Sequence, residues 1–137
     1  MRDRYAFFTS VAVRWGDMDA LGHVNNIQFF AYFEQARIQF FEAVGADKVW
    51  DAEQGPILAS ASCNFLKPIV YPIDLEVGLA VTDIRNRSFG ASLAIFRKDS
   101  DEMFAEGKNG IVWVNYPAGK AINLPPVLVE GLNKFKP

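Results

Sequence analysis

With 137 residues, half of them hydrophobic and 12 of them Phe, the chain can bury a core of its own and is expected to be a single domain, 1–137. A formal net charge of −2 argues against nucleic acid as the main partner, because phosphate binding needs concentrated Lys and Arg. The lone Cys63 cannot form an internal disulfide, MRDRYAFF lacks an apolar signal core, and no apolar run reaches roughly 18 residues, so a cytoplasmic protein without a membrane partner is expected.

Residues 7–15 read as a strand with imperfect alternation, ended by the polar punctuation Gly16-Asp17-Met18-Asp19. Asn25 followed by Gln28 resembles a capping box, no Pro or Gly interrupts 26–44, and Gly45 supplies a left-handed stop. The spacing predicts one helix about 28 Å long. On its wheel Gln28, Gln35, Gln39 and Glu42 form one narrow stripe, and nearly every other position is apolar. Such a helix is expected to be buried on most sides, wrapped by a curved sheet. Glu34 and Arg37 fall inside the apolar arc at i,i+3. A buried charge needs a partner, so a structural ion pair is expected there, in preference to a device that orients the Asp19 loop.

Segments 57–66, 73–82, 89–98 and 103–116 read as strands, separated by Lys67-Pro68, Tyr71-Pro72 and Asp99-Ser100-Asp101. Pro125-Pro126 then opens a short closing helix to Phe135. One strand, one long helix and about four successive strands make an α+β fold with a mainly antiparallel sheet.

The chemically informative stretch runs from Arg14 to Asn26, RWGDMDALGHVNN. It places two carboxylates, the only histidine and two amides between a strand end and a helix start. Helix N-termini offer unpaired N–H groups that can polarise a carbonyl, while a nearby carboxylate attacks its carbon or activates water. Asp and Asn are equally at home in plain turns, and both readings stand on the residues alone. A calcium loop fits Asp17, Asp19 and Gly22 but fails at Leu21 and Gln28. One His and one Cys do not make the usual zinc set, and neither a Gly-x-Ser-x-Gly elbow nor a phosphate-binding glycine loop occurs. No metal and no cofactor is expected.

The pattern Trp15-Gly-Asp-x-Asp-x-x-Gly-His-Val-Asn-Asn26, running into Tyr32-Phe33-Glu34-Gln35-Ala36-Arg37, resembles the 4-hydroxybenzoyl-CoA thioesterase-like hotdog proteins. Lys67-Pro68-Ile69 and the stretch from Gly110 to Asn115 before Leu124-Pro125 match the same layout, so the likeness covers nearly the whole chain. The resemblance implies a hotdog fold, a long central helix wrapped by a curved, mainly antiparallel sheet. It also implies hydrolysis of an aryl or medium-chain acyl-CoA to free acid and CoA. Asp19 takes the place of the catalytic acid, as nucleophile or general base. Backbone N–H groups at Asn25, Asn26 and Ile27 would polarise the thioester oxygen. His23 and Asn25 also match a His-Val-Asn-Asn stretch of plant acyl-ACP thioesterases, where the His takes part in the site. Leu21 stands where that group carries Asn, so His23 is assigned an auxiliary role beside Asp19, with a structural histidine hydrogen-bonded at the helix entry as the alternative. Arg85, Arg87 and Ser88 occupy a turn where related proteins place basic residues near the CoA phosphates. A homodimer or homotetramer with the pocket at the subunit interface is expected from the resemblance and from exposed sheet edges. The competing functions are a non-catalytic acyl-CoA binding module and a hotdog hydratase.

Overall fold

The computed structural model describes residues 1–137. Strand β1 (Phe7–Ala12) leads through a 3-10 turn, Trp15–Asp17, to the long helix α1 (Asn26–Ala43). Then come β2 (Gln54–Phe65), β3 (Asp74–Ile84), β4 (Ser88–Arg97), β5 (Met103–Asn115), the two-residue β6 (Lys120–Ala121) and helix α2 (Pro126–Asn133). All pairings are antiparallel, in the order β1-β3-β4-β5-β2, with β6 on β5. This is the predicted α+β hotdog arrangement, a strongly curled sheet holding one long helix.

Local chemistry sets the ends of α1. Asn25 Oδ1 accepts the Ile27 N–H at 3.0 Å, and Gly45, at φ 81°, ends the helix in the left-handed region that glycine adopts without strain. The reciprocal capping box is not formed. The Asn25 N–H donates to the Asp17 carbonyl at 3.0 Å instead of meeting Gln28. β1 stops at Ala12 rather than at 15 because the Arg14 N–H donates to Asp17 Oδ2 at 3.0 Å and turns the chain.

The core lies between one face of α1 and the concave side of the sheet. Phe29, Phe33, Ala36 and Phe40, at helical spacing, are at most 2% exposed. They meet alternate residues of the strands: Leu75, Val77 and Leu79 on β3, Leu93 and Ile95 on β4, Ile111 and Trp113 on β5. Burying one such Phe contributes about 1.5–3 kcal/mol. Gly107 lets the helix come close, since a Cβ there would lie 2.8 Å from the Phe33 ring and 2.3 Å from the Ser62 carbonyl oxygen. No helix of the fold is long and apolar enough to cross a membrane.

Two expectations about α1 need correction. The sheet covers only one face of it, and Ile27, Phe30 and Ile38 are 71%, 40% and 38% exposed on the other. A wheel counts apolar positions without knowing how far a sheet of five main strands can curl around them. For the same reason Glu34 is not buried. Its side chain is 68% exposed, against 10% for Arg37, and the two charges stand 3.7 Å apart. The buried partner of Arg37 is Asn109 on β5, whose Oδ1 accepts from Nη1 at 3.0 Å.

Stability should follow these partners. Arg37→Ala removes a buried hydrogen bond from a charged donor and should cost roughly 1.5–3 kcal/mol. Glu34→Gln should stay within about 0.5 kcal/mol, as exposed substitutions usually do. Urea unfolding of both variants checks this, and a larger loss from Glu34→Gln would reverse the assignment.

Candidate active site

The 14–26 segment closes on itself in front of α1. Met18 and Val24 form an isolated antiparallel bridge, Asp19 N–H donates to the His23 carbonyl at 3.0 Å, and Gly22 N–H donates to the Asp19 carbonyl at 3.1 Å. Gly22 takes φ 85°, which makes the tight return possible. Val24 N–H donates to the Ile69 carbonyl at 2.8 Å, which ties the loop to the segment after β2.

Within this loop the two carboxylates have different surroundings. Asp17 is 2% exposed. Its Oδ1 accepts Arg14 Nε at 3.0 Å and Nη2 at 2.8 Å, and its Oδ2 accepts the Arg14 N–H at 3.0 Å and the Tyr32 hydroxyl at 2.7 Å. Burial alone would raise its pKa, but these donors and the Arg14 charge outweigh it and hold the carboxyl below its ordinary value. Burial and the neighbouring Asp17 push the Tyr32 phenol well above its usual range. Asp19, by contrast, is half-buried, and its side chain makes one hydrogen bond, Oδ1 accepting the Leu21 N–H at 2.9 Å. Tyr32 stands in the matched sequence pattern, but nothing in that pattern shows that its hydroxyl reaches Asp17 from within α1.

Asp19 opens onto a cleft of about 290 Å³. The loop contributes Leu21, His23 and Val24 to it, and α1 contributes Asn26 and Phe29. The end of β2 and the turn beyond it supply Phe65, Leu66, Lys67 and Pro68. Phe29 and Phe65 meet edge to face at 5.0 Å and form an aromatic wall. His23 is exposed, lines the cleft, and its side chain takes no hydrogen bond in the protein.

The predicted carbonyl-polarising amides are not equivalent. The Asn25 N–H is taken by the Asp17 carbonyl and the Ile27 N–H by the Asn25 side chain. Only the Asn26 N–H takes no cap or loop hydrogen bond. Ile27 also lies outside the cleft lining. Arg85, Arg87 and Ser88 are not brought to this cleft within one chain. Arg85 Nε donates to Asp83 Oδ2 at 3.1 Å, the Ser88 carbonyl accepts from Arg85 N–H at 2.8 Å, and the Arg87 carbonyl accepts from Trp113 N–H at 2.9 Å. Ser88 stands level with Val112, which stands level with Ile57 on β2. Phe65 lies eight residues further along that strand, roughly 26 Å away at 3.3 Å per residue. Cys63 offers no rival nucleophile, because burial pushes its thiol up to about 11.

Because folding lowers the Asp17 pKa, the stability it contributes is present above its unfolded value, about 3.9, and is lost as pH falls through the folded value. The melting temperature of the wild type should exceed that of Asp17→Asn by the most near neutral pH. That gap should shrink below about pH 4, as thermal melts across the acid range will test. A gap that stays constant would remove Asp17 as the titrating group.

The model of the thioesterase-like superfamily matches residues 13–132. A candidate esterase of Aquifex aeolicus (strain VF5) is 30% identical over 122 residues, 88% of this chain and 92% of that protein. The crystal structure of the Pseudomonas aeruginosa protein PA5185 superposes with a TM-score of 0.91 at 30% identity, covering 98% of this chain and 94% of the other. A 1,4-dihydroxy-2-naphthoyl-CoA thioesterase from Synechocystis shares the fold at a TM-score of 0.82 and 21% identity, over 93% and 95% of the two chains. With the match reaching from the loop before Asp17 to α2, the chain belongs to the thioesterase-like superfamily and is a hotdog-fold thioester hydrolase.

Proposed function

We propose that the protein hydrolyses an acyl-CoA, aryl or medium-chain, with Asp19 as the catalytic carboxylate. One observation carries this reading: a carboxylate with a free oxygen and a helix-start residue with an unpaired amide, Asn26, line the same cleft. The thioester carbonyl oxygen takes the Asn26 N–H, aided by the positive end of α1. Asp19 then attacks the carbonyl carbon, expelling the CoA thiolate and leaving an anhydride that water opens to the free acid. In the equivalent general-base route, Asp19 takes a proton from water as that water attacks the same carbon, and the thiolate leaves protonated. His23, free at the cleft, is auxiliary and offers its imidazole to the leaving sulfur or to water. Phe29 and Phe65 supply the apolar wall for the acyl group.

The reading extends to assembly. β2 is an edge strand of twelve residues, QGPILASASCNF, with no charge along it, and its neighbour on one side only is β5. Uncharged edges of this length invite pairing with another chain. Its own Ile57, Leu58 and Phe65 are exposed, and beside it lies the uncovered face of α1. A second copy covers this surface in our proposal, as a homodimer that can pair again to a homotetramer. Antiparallel pairing of β2 with its own copy about a two-fold axis reverses the strand. The Ile57 level of one chain then lies near the Phe65 level of the other. Arg85, Arg87 and Ser88 of one subunit are thereby brought toward the other subunit's cleft, where their charges suit CoA phosphates.

Light scattering at micromolar concentration should give two or four times the chain mass; a monomer would sink the shared site. For the chemistry, Asp19→Asn keeps size and hydrogen bonding but loses the anion, so kcat should fall at least about 10²-fold with KM changed much less. Asp17→Asn should keep most of the rate and lose mainly stability. Steady-state hydrolysis of a panel of acyl-CoAs, with folding checked by circular dichroism, decides it. Near-wild-type turnover in folded Asp19→Asn would end the carboxylate mechanism.

A further inference from the structure

We infer that Tyr32 is a positioning residue for the reaction, holding the Asp19 loop in register with the start of α1 through its hydrogen bond to Asp17. The inference rests on the assignment of Asp19 as the catalytic carboxylate.

The side-chain bonds to Asp17 fall into two kinds. Those from Arg14 are local, three residues away on the same turn, and the Arg14 side chain is 78% exposed. They shape the turn but do not fix where it sits. The Tyr32 bond, at 2.7 Å, crosses from the loop to the second turn of α1. It is the only side-chain hydrogen bond that joins this turn to the helix, and both its members are buried, at 2% and 5% exposure.

The geometry explains why a tyrosine can do this. Helical side chains lean toward the N-terminus, so a long side chain six residues after Asn26 reaches the loop in front of the helix. The ring is held in the core beside Phe29 and Phe33 and has little freedom to follow a displaced loop. A second tie runs through the backbone, where the Asn25 N–H donates to the Asp17 carbonyl at 3.0 Å. Asp17 is thus gripped at both its carboxylate and its carbonyl, and Asp19 follows two residues later. With the Tyr32 bond gone, backbone ties remain, from the Asn25 N–H to the Asp17 carbonyl and from the Val24 N–H to the Ile69 carbonyl, but no side chain holds the Asp17 carboxylate to the helix. The turn can then shift about those ties, and the distance from Asp19 to the Asn26 N–H is set less closely. Displacements on the order of 1 Å at reacting groups cost up to about 10²-fold in rate.

Tyr32→Phe removes the hydroxyl and keeps the ring. We expect the variant to fold, with kcat for the best acyl-CoA lowered about 10-fold or more and KM within about 3-fold of wild type. A role in folding alone would lower the melting temperature and leave kcat untouched well below it. Wild-type kcat in folded Tyr32→Phe, with Asp19→Asn inactive, would overturn the positioning role and leave the Asp19 assignment standing. If Asp19→Asn retains turnover, the assignment falls and the positioning role falls with it.

Should Tyr32→Phe fail to fold, the comparison moves to Asp17. Asp17→Asn and Asp17→Ser both lose the ion pair with Arg14, but only Asn keeps an oxygen within reach of the Tyr32 hydroxyl. A kcat loss in the Ser variant well beyond that in the Asn variant supports the inference. Equal kcat in the two would overturn it.

Discussion

The seat of α1 in the curl of the sheet is the constraint from which the site follows. Phe29, Phe33, Ala36 and Phe40 interlock with the concave face, and Gly107 leaves room for Phe33 where any side chain would collide. Cores packed to this density resist sliding or rotation of an element, because each displaced ring opens a void. The first turn of α1 is therefore held in space by residues one to four turns away from it. Its amides can then be shared out with little play: one to the Asp17 carbonyl, one to the Asn25 cap, one left open. A helix start on a loosely packed helix would offer the same groups without fixed positions. Electrostatic catalysis gains only from donors fixed before the substrate arrives.

Much of this was legible in the sequence because it is encoded locally. The cap Asn25, the stop Gly45, the strand-like runs and the paired Pro125-Pro126 each act through their own backbone or near neighbours, and the elements appear within a few residues of their expected bounds. The contrast in surroundings between Asp17 and Asp19 was only partly within reach, since Arg14 is three residues from Asp17 but the Tyr32 hydroxyl that completes its set lies fifteen residues on. The partner of Arg37 was out of reach for the same reason, with Asn109 lying 72 residues away on another strand. The helical wheel misplaced Glu34 because it reports the apolar circumference and not which part of it the chain's own sheet can cover. The surplus of apolar positions was real. It is the face carrying Ile27, Phe30 and Ile38, which one chain leaves open beside its uncharged edge strand.

On the proposed mechanism, the two carboxylates divide stability and reactivity within one short loop. An ionised carboxylate has about four lone-pair sites, and Asp17 has a donor for each: three from Arg14 and one from Tyr32. A group so satisfied is a good anchor and a poor nucleophile, because its charge is already spread over fixed partners and its oxygens face no open space. Asp19 has one protein donor, and the Asn26 amide has none of the cap or loop acceptors. Leaving such groups unpaired in a dry interior would cost several kcal/mol. At the mouth of a half-open cleft, water satisfies them, and the cost to folding is small. On the proposed mechanism that cost reappears only when an acyl group displaces the water. At that point the thioester oxygen takes the place of water on Asn26, and the strengthened charge of Asp19 is spent on the carbonyl carbon. Anchor and reagent have to be separate residues, since hydrogen bonds that make a carboxylate hold a loop also stop it from reacting.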